Sequence, residues 1–109
     1  MSEAAISKSI SDALDTLGVM HFRIQCGKVK VRGGWMQLAP PGFPDRWTEL
    51  GFLETKTLTG KLGADQVKCH DRLRDRGHRV AVVRSASEAV KVVAGWRDED
   101  RHERAMGWT

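Results

Sequence analysis

Long hydrophobic runs are missing from this chain. Its longest stretches of consecutive apolar residues are only a few residues, far short of the ~20 needed to cross a bilayer. The first twenty residues carry Glu3, Lys8, Asp12 and Asp15, where a secretory signal needs an uninterrupted apolar stretch. No membrane association is expected, and a cytoplasmic location is. Cysteine is scarce as well: Cys26 and Cys69 cannot build a disulfide framework and suit a reducing compartment. A structural zinc would have to recruit them with His21, His70 and His78. Cys69 and His70 are adjacent, however, and no Cys-x-x-Cys pair exists, so zinc is not expected. Internal repeats are absent too.

What the chain does have suffices for one core. At 109 residues, two separate cores would each be too small to be secure. A hydrophobic fraction of 40% supplies an interior and a charged fraction of 29% an ordinary solvated surface. Lys and Arg number 18 against 14 Asp and Glu, a formal net charge of +4. That balance suits a polyanionic partner, although equally basic proteins exist without one. If the acidic residues gather at a metal site, the remaining surface is more basic than the net figure.

Between Ser2 and Leu17, Ile6, Ile10, Leu14 and Leu17 recur at helical spacing, with Ala13 beside them and Gly18 as the stop. Ser7, Lys8, Ser11, Asp12 and Asp15 cover the other side. Glu3 falls on the inward stripe, a place for a carboxylate only in a first turn, where it favours the helix dipole. From His21 to Val31, Phe22, Ile24 and Cys26 alternate with Arg23 and Gln25. This predicts a strand, a turn near Gly27-Lys28 and a second short strand through Val29 and Val31. Gly33-Gly34 and Pro40-Pro41-Gly42-Phe43-Pro44 predict loop. Two strands fit between Asp45 and Thr57, with their turn at Glu49-Leu50-Gly51. A helix follows from Ala64 to Arg76, with Gln66, Cys69, His70 and Leu73 inward, Val67 adjoining and Gly77 as its stop. Val80 to Val83 reads as a buried strand, and Ser85 or Ser87 caps a last helix through Ala89, Val90, Val92, Val93 and Trp96. Beyond Arg97 the run from Asp98 to Arg104 is too polar to bury, an exposed helical end or a frayed tail. The helix between Thr57 and Arg79 is long enough to join parallel strands. The predicted architecture is a mixed sheet with helices on both faces.

The stretch that carries chemistry is Gly42-Phe43-Pro44-Asp45, followed nine residues after the aspartate by Glu54-Thr55-Lys56. Strand alternation puts Glu54 and Lys56 on one face and Thr55 on the other. The turn at Glu49 to Gly51 folds the Asp45 strand back, so Asp45 and Glu54 come within one or two residues of facing each other. Two carboxylates that close repel, and one holds its proton near neutrality unless a hard divalent cation takes its place. Glu-x-Lys on an exposed strand is common and means little, but Phe52, Leu53 and Leu58 mark this strand as buried, and buried charge needs a reason. Metal, lysine and carboxylates together are what in-line phosphodiester hydrolysis needs. Lys28, Lys30, Arg32 and Lys61 lie in loops near the site, where they either grip phosphates or are simply solvated. Lys68, Arg72, Arg74 and Arg76 alternate with Asp71 and Asp75, which reads as a solvated helix face. Trp35 and Trp47 could stack on unpaired bases, with core or interface packing the expectation. His70 needs no catalytic role.

Pro44-Asp45 with Glu54-Thr55-Lys56 resembles the signature of the PD-(D/E)XK nuclease superfamily. The fuller pattern resembles its virus-type replication-repair nuclease (VRR-NUC) branch. The matching positions are Glu3, Ile6, Ile10, Leu14 and Gly18, Gly42-x-Pro44-Asp45, Leu53-Glu54-x-Lys56, Gly60-Lys61-Leu62, Gln66 and Gly77. The resemblance implies a restriction-endonuclease-like core, α-β-β-β-α-β-α, over residues 1–97, with 98–109 a polar C-terminal extension. It implies Asp45, Glu54 and Glu3 as metal ligands, with Thr55 among the positions around a Mg2+ or Mn2+ ion. Lys56 is then the catalytic lysine, and Gln66 faces the site from the second helix. The stand-alone members imply a homodimer that cuts branched DNA such as Holliday junctions, with its seam among Trp35, Met36, Trp47, Trp96, Met106 and Trp108. Two positions depart from the pattern. Arg46 stands where an apolar residue is usual, implying a wetter outer face, and Gly63 stands where a Ser commonly caps the helix, at a cost of about a few tenths of a kcal/mol. A non-catalytic nucleic-acid-binding module and a restriction-type or RNA-directed nuclease remain open beside the junction-cutting reading.

Overall fold

The computed structural model describes residues 1–107; Trp108, one of the expected seam residues, lies outside them. Helix α1 spans Glu3–Leu17, with the Ser2 hydroxyl accepting the Ala5 amide at 3.1 Å and Gly18 leaving the helix at φ 70°. Ile6, Ile10 and Leu14 are buried as the periodicity predicts, and Leu17 is half-buried. Ser7 is buried too, against expectation.

Strands β1 (His21–Arg23), β4 (Arg46–Thr48), β5 (Gly51–Thr55) and β6 (Val80–Val83) form one sheet in the order β1-β4-β5-β6. The first two pairings are antiparallel, and β5 with β6 is parallel. Helix α2 (Ala64–Asp75) makes the crossover between the parallel strands. Thr48 builds the tight β4–β5 turn: its hydroxyl accepts the Leu50 and Gly51 amides at 3.1 and 3.0 Å and donates to the Gly51 carbonyl at 2.7 Å. Gly51 is required there, since a Cβ would press on Arg79 and Trp96 at 2.8 Å. Leu53 and Val83 enter a core with Ile6, Ile10 and Leu14 of α1 and Ala89 and Val93 of α3 (Ala86–Ala105). The fold is mixed α/β, with a mixed sheet and three helices.

One expectation needs correction. Five strands separate the first two helices, one more than the residue pattern predicts and two more than the resemblance implies. The unexpected one is β3 (Gly34–Gln37), which pairs antiparallel with β2 (Lys28–Val31) in a separate two-stranded sheet. Gly33 and Gly34, at φ 89° and 152°, make the reversal of a hairpin where they were read as breakers. The polar segment after Arg97 is an exposed helical end, because α3 continues to Ala105. Arg79 holds its acidic side, 2.8 Å from Asp100 and 3.1 Å from Glu99. Ser85 is the N-cap, accepting the Glu88 amide at 3.1 Å.

Candidate active site

The pairing Arg46↔Leu53, Trp47↔Phe52 continues to place Asp45 directly across from Glu54. That register follows from the short turn at Thr48, and it sets the two carboxyl groups close enough for the Asp45 charge to act on Glu54. Asp45 is also held by the next residue of β5: its Oδ2 accepts the Thr55 amide at 3.0 Å, and Oδ1 lies 3.4 Å from the Thr55 hydroxyl. Its own carbonyl accepts the Ile24 amide at 2.8 Å. Pro44 before it is buried. Gly42, at φ 86°, lies so close to α2 that a Cβ would run into the Asp65 carbonyl. The loop that delivers Asp45 is therefore clamped between β5 and the start of α2.

Glu54 is only 3% exposed. Burial, then the adjacent Asp45 charge and hydrogen bond, push its carboxyl up to about 8; Lys56 pulls the other way. On the far side, His70 is fully buried with its Nε2 3.3 Å from Glu54 Oε1. Burial lowers the His70 pKa, so the ring is neutral at physiological pH. His70 Nδ1 has no partner among the described residues. A buried unpaired acceptor costs less than an unpaired N–H, which puts the proton on Nε2, donating to Glu54. Lys56 follows on the same face as Glu54, and its amide donates to the Val83 carbonyl at 3.0 Å. The loop after it is pinned by Arg84, whose Nη1 donates to the Thr57 and Gly60 carbonyls, each at 2.6 Å.

Of the predicted site residues, Asp45, Glu54, Thr55 and Lys56 are thus gathered at the C-terminal end of β5. Glu3 is not brought into contact with them. It is exposed at the first turn of α1 and reaches Glu54 only as a more distant charge that raises its pKa further. Among the described residues no three His, Cys, Asp or Glu side chains converge as a ligand set. Gln66 is also used otherwise: its Oε1 accepts the Gly63 amide at 2.9 Å and caps α2, standing in for the missing Ser. Arg46 is the reverse of the wet residue expected. It is buried, donating through Nη2 to the Ser7 carbonyl and hydroxyl at 3.2 and 2.9 Å and through Nη1 to His21 Nδ1 at 2.8 Å. That explains why Ser7 is buried. Because guanidinium can only donate, His21 carries its proton on Nε2, 2.7 Å from Asp15 Oδ1.

Sequence reasoning missed His70 and Cys26 as neighbours of the site. The Cys26 thiol donates to the Phe43 carbonyl at 3.3 Å, and burial followed by the charges of Glu54 and Asp45 pushes its pKa up. The only available signal for His70 was its place on the inward stripe of α2. A groove of about 590 Å3 is lined by Phe43, by Asp65, Lys68 and Arg72 of α2 and by Arg76 after it, and by none of Asp45, Glu54 and Lys56. Arg74, in contrast, pairs with Asp71 at 3.4 Å and donates to the Val80 carbonyl.

No family model, curated protein or solved structure matches the chain. The donor chemistry itself suits a hard divalent cation. Two neighbouring carboxylates are the number Mg2+ takes when water and phosphate oxygens fill its remaining positions.

Proposed function

We propose that this protein is a Mg2+- or Mn2+-dependent endonuclease that hydrolyses phosphodiester bonds in branched DNA as a homodimer. The observation that carries this reading is the pair Asp45–Glu54, next in register after Arg46↔Leu53, in which Glu54 is buried beside the Asp45 charge and Lys56 follows two residues on. Holding the buried Glu54 carboxyl beside a second, half-buried one is costly, and a cation between them would offset that cost. The pair and its spacing to Lys56 are those of the PD-(D/E)XK signature that the sequence resembles.

Asp45 and Glu54 would hold the metal, which supplies Lewis-acid charge to the scissile phosphate and a water of lowered pKa. Thr55 fixes the Asp45 carboxylate through its amide and hydroxyl. His70 fixes Glu54 from the opposite side. Lys56 orients the attacking water and offsets the negative charge that grows on the phosphate. A strand entering along the α2 groove meets Lys68, Arg72 and Arg76 before it reaches the carboxylates.

The homodimer rests on an incomplete sheet cover. Phe22, 54% exposed, stacks on Trp47 with ring centroids 5.0 Å apart. These rings continue the row Phe22–Trp47–Phe52 across the sheet, past the part that α2 covers. A second copy related by a two-fold axis would cover the stack and present two centres to the two strands of a junction. Light scattering at micromolar concentration, with cleavage assays on four-way junction, flap, duplex and single-stranded DNA, tests the whole reading. A dimer that cuts the junction symmetrically is expected; a monomer that nicks flaps but leaves junctions whole removes the junction and dimer elements and leaves the nuclease.

A further inference from the structure

The β2–β3 hairpin packs no side of itself into the main core. Val29, Val31, Trp35 and Met36 are all exposed, Trp35 to 67%. An isolated two-stranded hairpin is marginal in water, so a partner for it is expected. Its register sorts its side chains into two unlike faces. Lys28, Lys30, Trp35 and Gln37 share one, with Lys30 directly opposite Trp35; Val29, Val31 and Met36 share the other.

Charge identifies the partner for the first face. From Thr16 to Pro44 the chain has no Asp or Glu, whereas Arg23, Lys28, Lys30 and Arg32 are all cations. Lys28, Lys30 and Arg32 are exposed and make no ion pair among the described residues. An exposed indole beside lysines, on a segment with no carboxylate of its own, is the surface that takes phosphates and a stacked base.

The hairpin is also rooted at the site. At its base Gly27 and Ala39 are bonded, amide to carbonyl, at 2.8 Å. Just before it the Ile24 amide holds the Asp45 carbonyl at 2.8 Å, and the Cys26 thiol holds that of Phe43 at 3.3 Å. We infer that this hairpin is an arm that grips a nucleic-acid strand, with Lys28 and Lys30 on phosphates and Trp35 under an unpaired base. The strand so held runs down to Asp45. The polyanion is the one the nuclease reading supplies, but the arm needs no metal and no cleavage.

Fluorescence anisotropy with full-length protein and labelled DNA in EDTA separates the two claims. Flap DNA with an unpaired arm is compared with blunt duplex across a salt series. Lys28→Ala/Lys30→Ala is expected to lower the slope of log affinity against log salt by about 1.5, since two phosphate contacts go. Trp35→Ala is expected to weaken flap binding about fivefold or more and to leave blunt duplex nearly unchanged. Lys28→Arg/Lys30→Arg should bind like wild type. Wild-type affinity and slope in both alanine variants overturn the arm, whatever the cleavage assays show. Absence of DNA binding by the wild type overturns it as well. Loss of a dimer on Met36→Ser, with DNA binding unchanged in the lysine and tryptophan variants, overturns it in favour of a second copy. Hairpin-dependent binding without any metal-dependent cleavage upholds the arm and removes the nuclease.

Discussion

His70 Nε2 lies 3.3 Å from Glu54 Oε1, with the histidine shut off from solvent and the glutamate almost so. A buried carboxylate so held has a fixed orientation, which is what a metal ligand requires of its supporting partner. His70→Leu keeps the volume and removes the donor. It should raise the Mg2+ concentration for half-maximal cleavage by about 10- to 100-fold. The urea midpoint should move little, because the unpartnered Nδ1 disappears with the ring. His70→Gln should recover part of the metal affinity. An unchanged metal requirement in His70→Leu would remove the histidine from the site's support.

Stability without metal should depend on pH through Glu54. Its folded-state pKa of about 8 exceeds the ordinary 4.5, so between those values the native state binds more protons than the unfolded chain. The sign of the linkage is then negative: stability is present below about 4.5 and is lost as pH rises through 8. Thermal melts of metal-free wild type against Glu54→Gln should show the wild type losing more stability between pH 5.5 and 9. Adding Mg2+ should restore most of that difference at pH 9. Parallel pH profiles for the two proteins would show that burial and Asp45 together do not raise the Glu54 pKa.

Arg46 should be a stability residue. Its guanidinium serves the Ser7 carbonyl, the Ser7 hydroxyl and His21 at once. Arg46→Ala leaves those acceptors buried and empties the space, at an expected cost of about 3 kcal/mol or more in urea unfolding. A loss below about 1 kcal/mol would mean that these bonds are readily replaced by water.

Gly42 should tolerate no side chain. Its φ of 86° and its approach to the Asp65 carbonyl combine strain with a backbone collision. Gly42→Ala is expected to cost at least about 1 kcal/mol and, by displacing Asp45, to cut activity more than Gly77→Ala. At Gly77 the φ is 89° but nothing stands within 4 Å of an added Cβ. Equal activities in the two variants would mean that the clamp on the Asp45 loop has no catalytic consequence.

What was legible in the sequence was local. Ile6, Ile10 and Leu14 share a stripe by helical spacing alone, and strand alternation with a short turn suffices to set Asp45 against Glu54. What escaped depended on partners far along the chain. Arg46 is buried because Ser7, 39 residues upstream, receives it, and no local pattern carries that information. Which of the two readings of the polar C-terminal run holds also depended on a distant partner, since Arg79 supplies the countercharge for Glu99 and Asp100. Strand β3 was missed because two glycines break a strand and turn a hairpin with equal ease. The position of Gln66 in the helix was legible, but its side chain serves the cap in place of the site.

The account turns on Asp45, Glu54 and Lys56 forming a metal-dependent cutting centre. The most direct test measures cleavage of a labelled four-way junction by wild type, Asp45→Asn and Lys56→Ala, each in Mg2+ and in EDTA, with binding followed in parallel. The wild type should cut in Mg2+ and not in EDTA. Both variants should be slower by about a hundredfold or more, with Asp45→Asn binding DNA at least as tightly because a charge facing the phosphates is gone. Cleavage at the wild-type rate by either variant, or undiminished cleavage in EDTA, would contradict the account.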